Sequence, residues 1–190
     1  MGAVTIIYLN GVSSAGKSSL AAALQQALDA PYAHVALDHF APMVPKQGPK
    51  EDGEHWTGQA FFHRYALPAM HGCVAAFAAA GANVIVDQVL LEPAWFDDAV
   101  RRLQEDEVWF IGVQCALPEV ERRERERGDR WAGQAGSQLQ RTHAHGPYDL
   151  EIETTRLSPQ EGALQITRRM HSGPPPLAFR QAAARATTRT

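Results

Sequence analysis

The chain predicts an α/β fold: a five-stranded parallel sheet covered by helices on both faces, a three-layer sandwich with a lid. Three observations carry that expectation. Short apolar and β-branched runs recur along the chain, each the length of one strand buried on both faces. Segments with helical spacing separate them, so successive strands return parallel through crossover helices. The first run, Val4–Leu9, also passes through a glycine loop straight into strong helix formers, Ser19–Leu28.

The elements follow in order. After the first helix, His34-Val35-Ala36-Leu37 is a second strand that ends on Asp38. Residues 42–58, rich in Pro, Gly and charge, predict a loop or flap. A helix from about Gln59 to Ala80 is kinked at Pro68 and stopped by Gly81. Asn83–Val86 is a third strand, ending on Asp87. Glu92–Gln104 is a helix with Pro93 in its first turn, and Val108–Val113 is the fourth strand. Pro118–Arg127 is a highly charged helix, and a further one runs from about Gly133 to His143. Leu150–Thr154 is the fifth strand. Ser158-Pro159-Gln160-Glu161 is a capping box that starts a helix to about Met170. Residues 1–171 form one domain, and residues 172–190, with three consecutive prolines and an Ala/Arg/Thr end, predict a disordered tail.

Composition bounds the function. The 190 residues are 45% hydrophobic and 21% charged, enough for one well-buried domain. A formal net charge of −3 argues against a nucleic-acid surface and for a small-molecule partner. Cys73 and Cys115 form no CxxC unit, the expected state being free thiols in a reducing compartment. No stretch is long enough to span a bilayer, so the expectation is a cytoplasmic protein without membrane contact. Self-association as a homo-oligomer is compatible with the chain. The histidines lack cysteine or carboxylate partners at ligand spacing, which speaks against a structural metal.

The chemistry begins at Gly11-Val12-Ser13-Ser14-Ala15-Gly16-Lys17-Ser18, which fits G-x-x-x-x-G-K-[ST] between a strand and a helix. Gly11 and Gly16 let the backbone of Ser13, Ser14, Ala15 and Gly16 wrap around phosphate oxygens, and the helix that follows through Ser19 aims its positive end there. Lys17 reaches the β- and γ-phosphates, and Ser18 offers a hydroxyl to Mg²⁺. ATP and Mg²⁺ are the expected cofactors. Asp38 and Asp87 fall at strand C-termini, where ligands sit in such sheets. Asp38 reads as a general base for a substrate hydroxyl or as an N-cap; Asp87 as a water-mediated Mg²⁺ contact or as a structural partner of the loop. The run Glu121–Arg130 reads as a solvated helix or as a lid whose arginines reach the transferring phosphoryl group, with Arg127 and Arg130 the candidates.

These residues resemble the chloramphenicol phosphotransferases, small P-loop kinases that phosphorylate an antibiotic hydroxyl with ATP. The match lies in Leu9-Asn10-Gly11 with Ser13–Ser18, in Asp38, and in Gly81-Ala82 leading through Val84-Ile85-Val86 into Asp87. It continues in Arg123-Glu124, Arg127-Gly128-Asp129-Arg130, Ala132-Gly133, His143, Tyr148-Asp149 and Thr154-Thr155. The resemblance implies a P-loop kinase-type fold, ATP as donor and Asp38 as catalytic base. It does not extend through residues 39–79, where much of an acceptor pocket would lie, and Gln88 stands where the family tends to show a second acid. The expectation is a small-molecule kinase acting on a hydroxyl. Two rivals are a nucleotide, nucleoside or nucleotide-sugar kinase, the toxin-type kinases included, and an ATP-binding switch without an acceptor.

Overall fold

The computed structural model describes residues 4–44, 47–51, 54–57, 61–127 and 134–187. Its elements begin with β1 (Thr5–Asn10), α1 (Lys17–Ala27), β2 (Tyr32–Ala36), the short α2 (Leu37–Phe40), β3 (Gln47–Glu51) and β4 (Glu54–Thr57). They continue with α3 (Leu67–Ala79), β5 (Asn83–Gln88), α4 (Pro93–Leu103), β6 (Glu107–Gln114) and α5 (Leu117–Arg127). The last are α6 (Gln134–Thr142), β7 (Leu150–Glu153), α7 (Pro159–Ser172) and α8 (Ala178–Thr187). Five strands form one parallel sheet in the order β2-β5-β1-β6-β7.

The apolar runs are continuous because both sheet faces are covered. Ile6, Tyr8, Val84, Val86, Val108 and Phe110 point to the face packed by α3, α4 and α8. Ile7, Leu9, Ile85, Trp109, Ile111 and Val113 point to the other, against Leu20 and Leu24 of α1 and Ala163 and Ile166 of α7. Each fully buried side chain of this size contributes about 1.5–3 kcal/mol. The sheet therefore holds its C-terminal edge, where the phosphate loop emerges, on a rigid base. In β6 a side chain at Gly112 would begin 2.5 Å from the Tyr148 ring, so glycine seats that tyrosine against the sheet.

The structure differs from the sequence expectation in four places. β2 ends at Ala36, and Asp38 lies in the first turn of α2 rather than on a strand. Residues 42–58 contain the antiparallel pair β3–β4, whose register shifts between Gln47 and Lys50. The helix before Gly81 opens with a π-helical turn, Phe62–Ala66, in which the Leu67 N–H donates to the Phe62 carbonyl. Pro68 explains that turn, because it has no N–H to offer four residues back.

Finally, the segment expected as a disordered tail carries α8. Phe179 is buried among Tyr8, Phe96 and Phe110, with ring centroids 5.4–5.5 Å away. Asp149 accepts from the Leu177 and Ala178 N–H groups at 2.7 and 3.1 Å and so fixes the start of that helix. Among the described residues, no helix is long and apolar enough to cross a membrane.

Candidate active site

The loop joining β1 to α1 needs two left-handed residues, Ser14 (φ 59°) and Gly16 (φ 92°). Gly16 takes that conformation without cost and caps α1 through its backbone alone. Gly11 is needed for a different reason: a side chain there would start 2.5 Å from the Val113 carbonyl oxygen of β6. Asn10 then anchors the loop from behind. Its Oδ1 accepts from Leu90 N–H at 3.0 Å, and its Nδ2 donates to the Thr142 carbonyl at 2.7 Å and the Tyr148 hydroxyl at 2.8 Å.

Three side chains, Gln138, Thr154 and Arg123, hold the loop's shape. The Ser13 N–H donates to Gln138 Oε1 of α6 at 3.0 Å. The Thr154 hydroxyl donates to the Ala15 carbonyl at 2.6 Å and the Gln114 carbonyl at 2.9 Å. Arg123 of α5 donates to the Thr154 carbonyl at 2.7 Å and to Glu119 at 2.8 Å. That places its guanidinium beside Gly16, 3.4 Å from where a side chain would begin.

At the mouth of the loop the charged residues meet. Lys17 is buried, donates to the Val12 carbonyl at 2.9 Å and lies 3.8 Å from Asp87 Oδ1. The Ser18 hydroxyl donates to Asp87 Oδ2 at 2.6 Å. Burial alone would raise the Asp87 carboxyl; the Lys17 ammonium, the His34 imidazole and the Ser18 hydroxyl outweigh it and hold the group below its ordinary value. Asp87 is thus an anion at neutral pH, in a site that concentrates charge.

A cavity of about 630 Å³ runs over the loop. On one side lie Arg123, Glu126, Thr154 and Leu157; on the other lie Asp38, Leu37, Phe62, His63, Leu91 and Trp95. Ser13, Ser14, Gly16, Lys17, Ser18, Ser19, Asp38 and Asp87, all candidates from the sequence, line this one space. Gly11 and Ala15 serve from behind, through their backbone. Arg130 and the Arg127 side chain lie outside the described residues.

Arg123, Gln138 and His34 join the site without having been candidates from the sequence. Arg123 carried a signal, standing one helical turn before Arg127; Gln138 and His34 carried none.

The residues also fit a phosphate chain. The Ser14 hydroxyl is buried, has no hydrogen-bond partner and stands in the loop wall. The Ser18 hydroxyl and Asp87 carboxylate, already adjacent, form an all-oxygen donor pair suited to Mg²⁺, which takes one or two protein ligands and keeps its waters.

Comparison with known proteins agrees with this architecture. A family model described as chloramphenicol phosphotransferase-like protein matches residues 4–171, stopping short of α8. A Mycobacterium tuberculosis protein provisionally named an O-phosphotransferase is 33% identical over 192 residues, covering 92% of this chain and 85% of its own. Among solved structures, M. tuberculosis APS kinase in complex with AMPPNP and APS superposes with a TM-score of 0.69 at 15% identity, over 90% of this chain and 100% of that one. The Deinococcus radiodurans tunicamycin resistance protein gives 0.63 at 19% identity, over 90% and 99%. At that identity the two likenesses show the fold, an α/β fold of the P-loop kinase type.

Proposed function

The chain belongs to the chloramphenicol phosphotransferase-like family, and from that premise and the site geometry we propose that it transfers the γ-phosphoryl group of ATP to a hydroxyl of a small molecule. The observation that carries this reading is that the phosphate loop and Asp38 line one and the same cavity. A nucleotide binder without an acceptor would need no carboxylate across that space. The AMPPNP in the complex of the similarly folded APS kinase supports nucleotide as the donor.

In this reading the loop amides and Lys17 bind the β- and γ-phosphates, with Lys17 leaving the Val12 carbonyl to do so. Ser18 and Asp87 would hold Mg²⁺, whose bound charge neutralises the phosphate oxygens. Arg123 steadies the nucleotide from α5, and Arg127 and Arg130 are the proposed partners of the transferring group. Asp38 accepts the proton of the acceptor hydroxyl. The bond from that oxygen to the γ-phosphorus forms as the bond to the β-phosphate bridging oxygen breaks, and ADP leaves.

The wall on the Asp38 side indicates the kind of acceptor. Leu37, Phe62, Leu91 and Trp95 are apolar, His63 packs edge-on against Trp95 at 5.1 Å, and among the described lining residues no lysine or arginine stands there. Such a surface suits an uncharged alcohol with an apolar body, and an anionic acceptor would find no compensating charge on it. The test is acceptor-dependent ADP release against a panel of neutral alcohols, chloramphenicol among them, and of sugars, nucleosides and sugar nucleotides. Lys17→Ala is the blank. Turnover with a neutral alcohol that vanishes in the blank is expected; turnover confined to anionic acceptors would overturn this choice of substrate class.

A further inference from the structure

Asp87 is surrounded by three donors, and one of them lies outside the phosphate loop. His34 stands on β2, the edge strand next to β5, and its Nε2 is 3.7 Å from Asp87 Oδ2. That nitrogen is buried and has no hydrogen-bond partner. At 3.7 Å it is aimed at the carboxylate without yet donating to it. The oxygen it faces is the one engaged by Ser18 at 2.6 Å, while Lys17 faces the other.

Resting on the phosphotransferase reading above, we propose that His34 is the positioning residue of Asp87, a donor that takes over the carboxylate when the loop turns to its ligand. Binding of nucleotide draws Lys17 toward the phosphates, and a metal draws on Ser18. Asp87, buried, would then lose both of its loop partners while one of its oxygens has to be held in place for the metal. The His34 N–H needs to move by less than 1 Å to reach hydrogen-bond distance, so the compensation is built into the neighbouring strand.

The imidazole is held for that task. Its ring meets the His39 ring edge-on at 5.4 Å, and His39 Nδ1 accepts from the Ala36 N–H at 3.3 Å. His39 adjoins Asp38, so the same pair of rings ties the metal-side carboxylate to the turn that carries the proposed base.

The test titrates Mg²⁺ against a fluorescent ATP analogue bound to the wild type, His34→Phe and His34→Gln, with binding in EDTA measured alongside. His34→Phe keeps a flat ring against His39 and removes the donor; His34→Gln restores an N–H near the same place. The expected result is metal-free nucleotide affinity within twofold of wild type in both variants. The Mg²⁺ half-saturation should rise about 10–100-fold in His34→Phe and recover in His34→Gln. An unchanged Mg²⁺ response in His34→Phe overturns the assignment. So does an equal loss in both variants, or a loss of metal-free binding, each of which makes His34 a packing residue. Absence of any Mg²⁺ effect in the wild type instead overturns the nucleotide reading itself, which keeps the two failures apart.

Discussion

Asp38 and Asp87 are both carboxylates at the sheet's C-terminal edge, and their surroundings divide them. Asp87 is enclosed by Lys17, Ser18 and His34 and faces the loop. Asp38 is exposed in the first turn of α2 and lines the cavity, where a substrate hydroxyl can reach it. Asp38→Asn is therefore expected to leave ATP affinity nearly intact and to lower acceptor-dependent turnover by about 10²–10⁴-fold. Nucleotide titration together with steady-state rates checks it, and an unchanged rate removes Asp38 from that role. At this scale the sequence is most readable where function is local in the chain. Gly11, Gly16, Lys17 and Ser18 sit within eight residues, so spacing alone assigns them. His34 and Gln138 escape because their partners, Asp87 and Ser13, lie 53 and 125 residues away. A lone histidine in a strand looks the same whether or not a carboxylate stands beside it.

The elements show where pattern and packing part company. Sheet strands are legible because burial on both faces makes them continuous apolar runs, as in Ile6-Ile7-Tyr8-Leu9 and Val84-Ile85-Val86. β3 and β4 are not, since Gly48 and Pro49 sit inside the first of them, where propensity argues against a strand. Helix α8 escapes for another reason. Its ten residues, AFRQAAARAT, hold one large apolar side chain, and that side chain packs against aromatic residues from β1, α4 and β6. Only the assembled sheet can show that Phe179 has a place to go. Phe179→Ala should lower unfolding stability by about 3–5 kcal/mol, read from urea midpoints. A change within 0.5 kcal/mol, about the scatter of surface substitutions, would mean that α8 is not part of the folded core.

Across the whole molecule, the fold's use is to bring one continuous cavity to the end of the sheet. β1 and α1 deliver the phosphate loop, β5 delivers Asp87, and β7 and α5 deliver Thr154 and Arg123 on the nucleotide side. The turn after β2 and the π-helical turn before α3 deliver Asp38, Phe62 and His63 on the other. Asp38 apart, the acceptor side is the part least legible in the sequence, because its residues come from segments with no shared spacing and, through residues 39–79, no match to the family. It is also the part that decides the reaction. The most direct measurement is ³¹P NMR of the products formed from ATP and a neutral alcohol that supports ADP release. One phosphate monoester on the acceptor is expected for each ADP formed, absent with Lys17→Ala. ADP accompanied only by inorganic phosphate would contradict it, showing a nucleotide hydrolase in which Asp38 serves water rather than an acceptor hydroxyl.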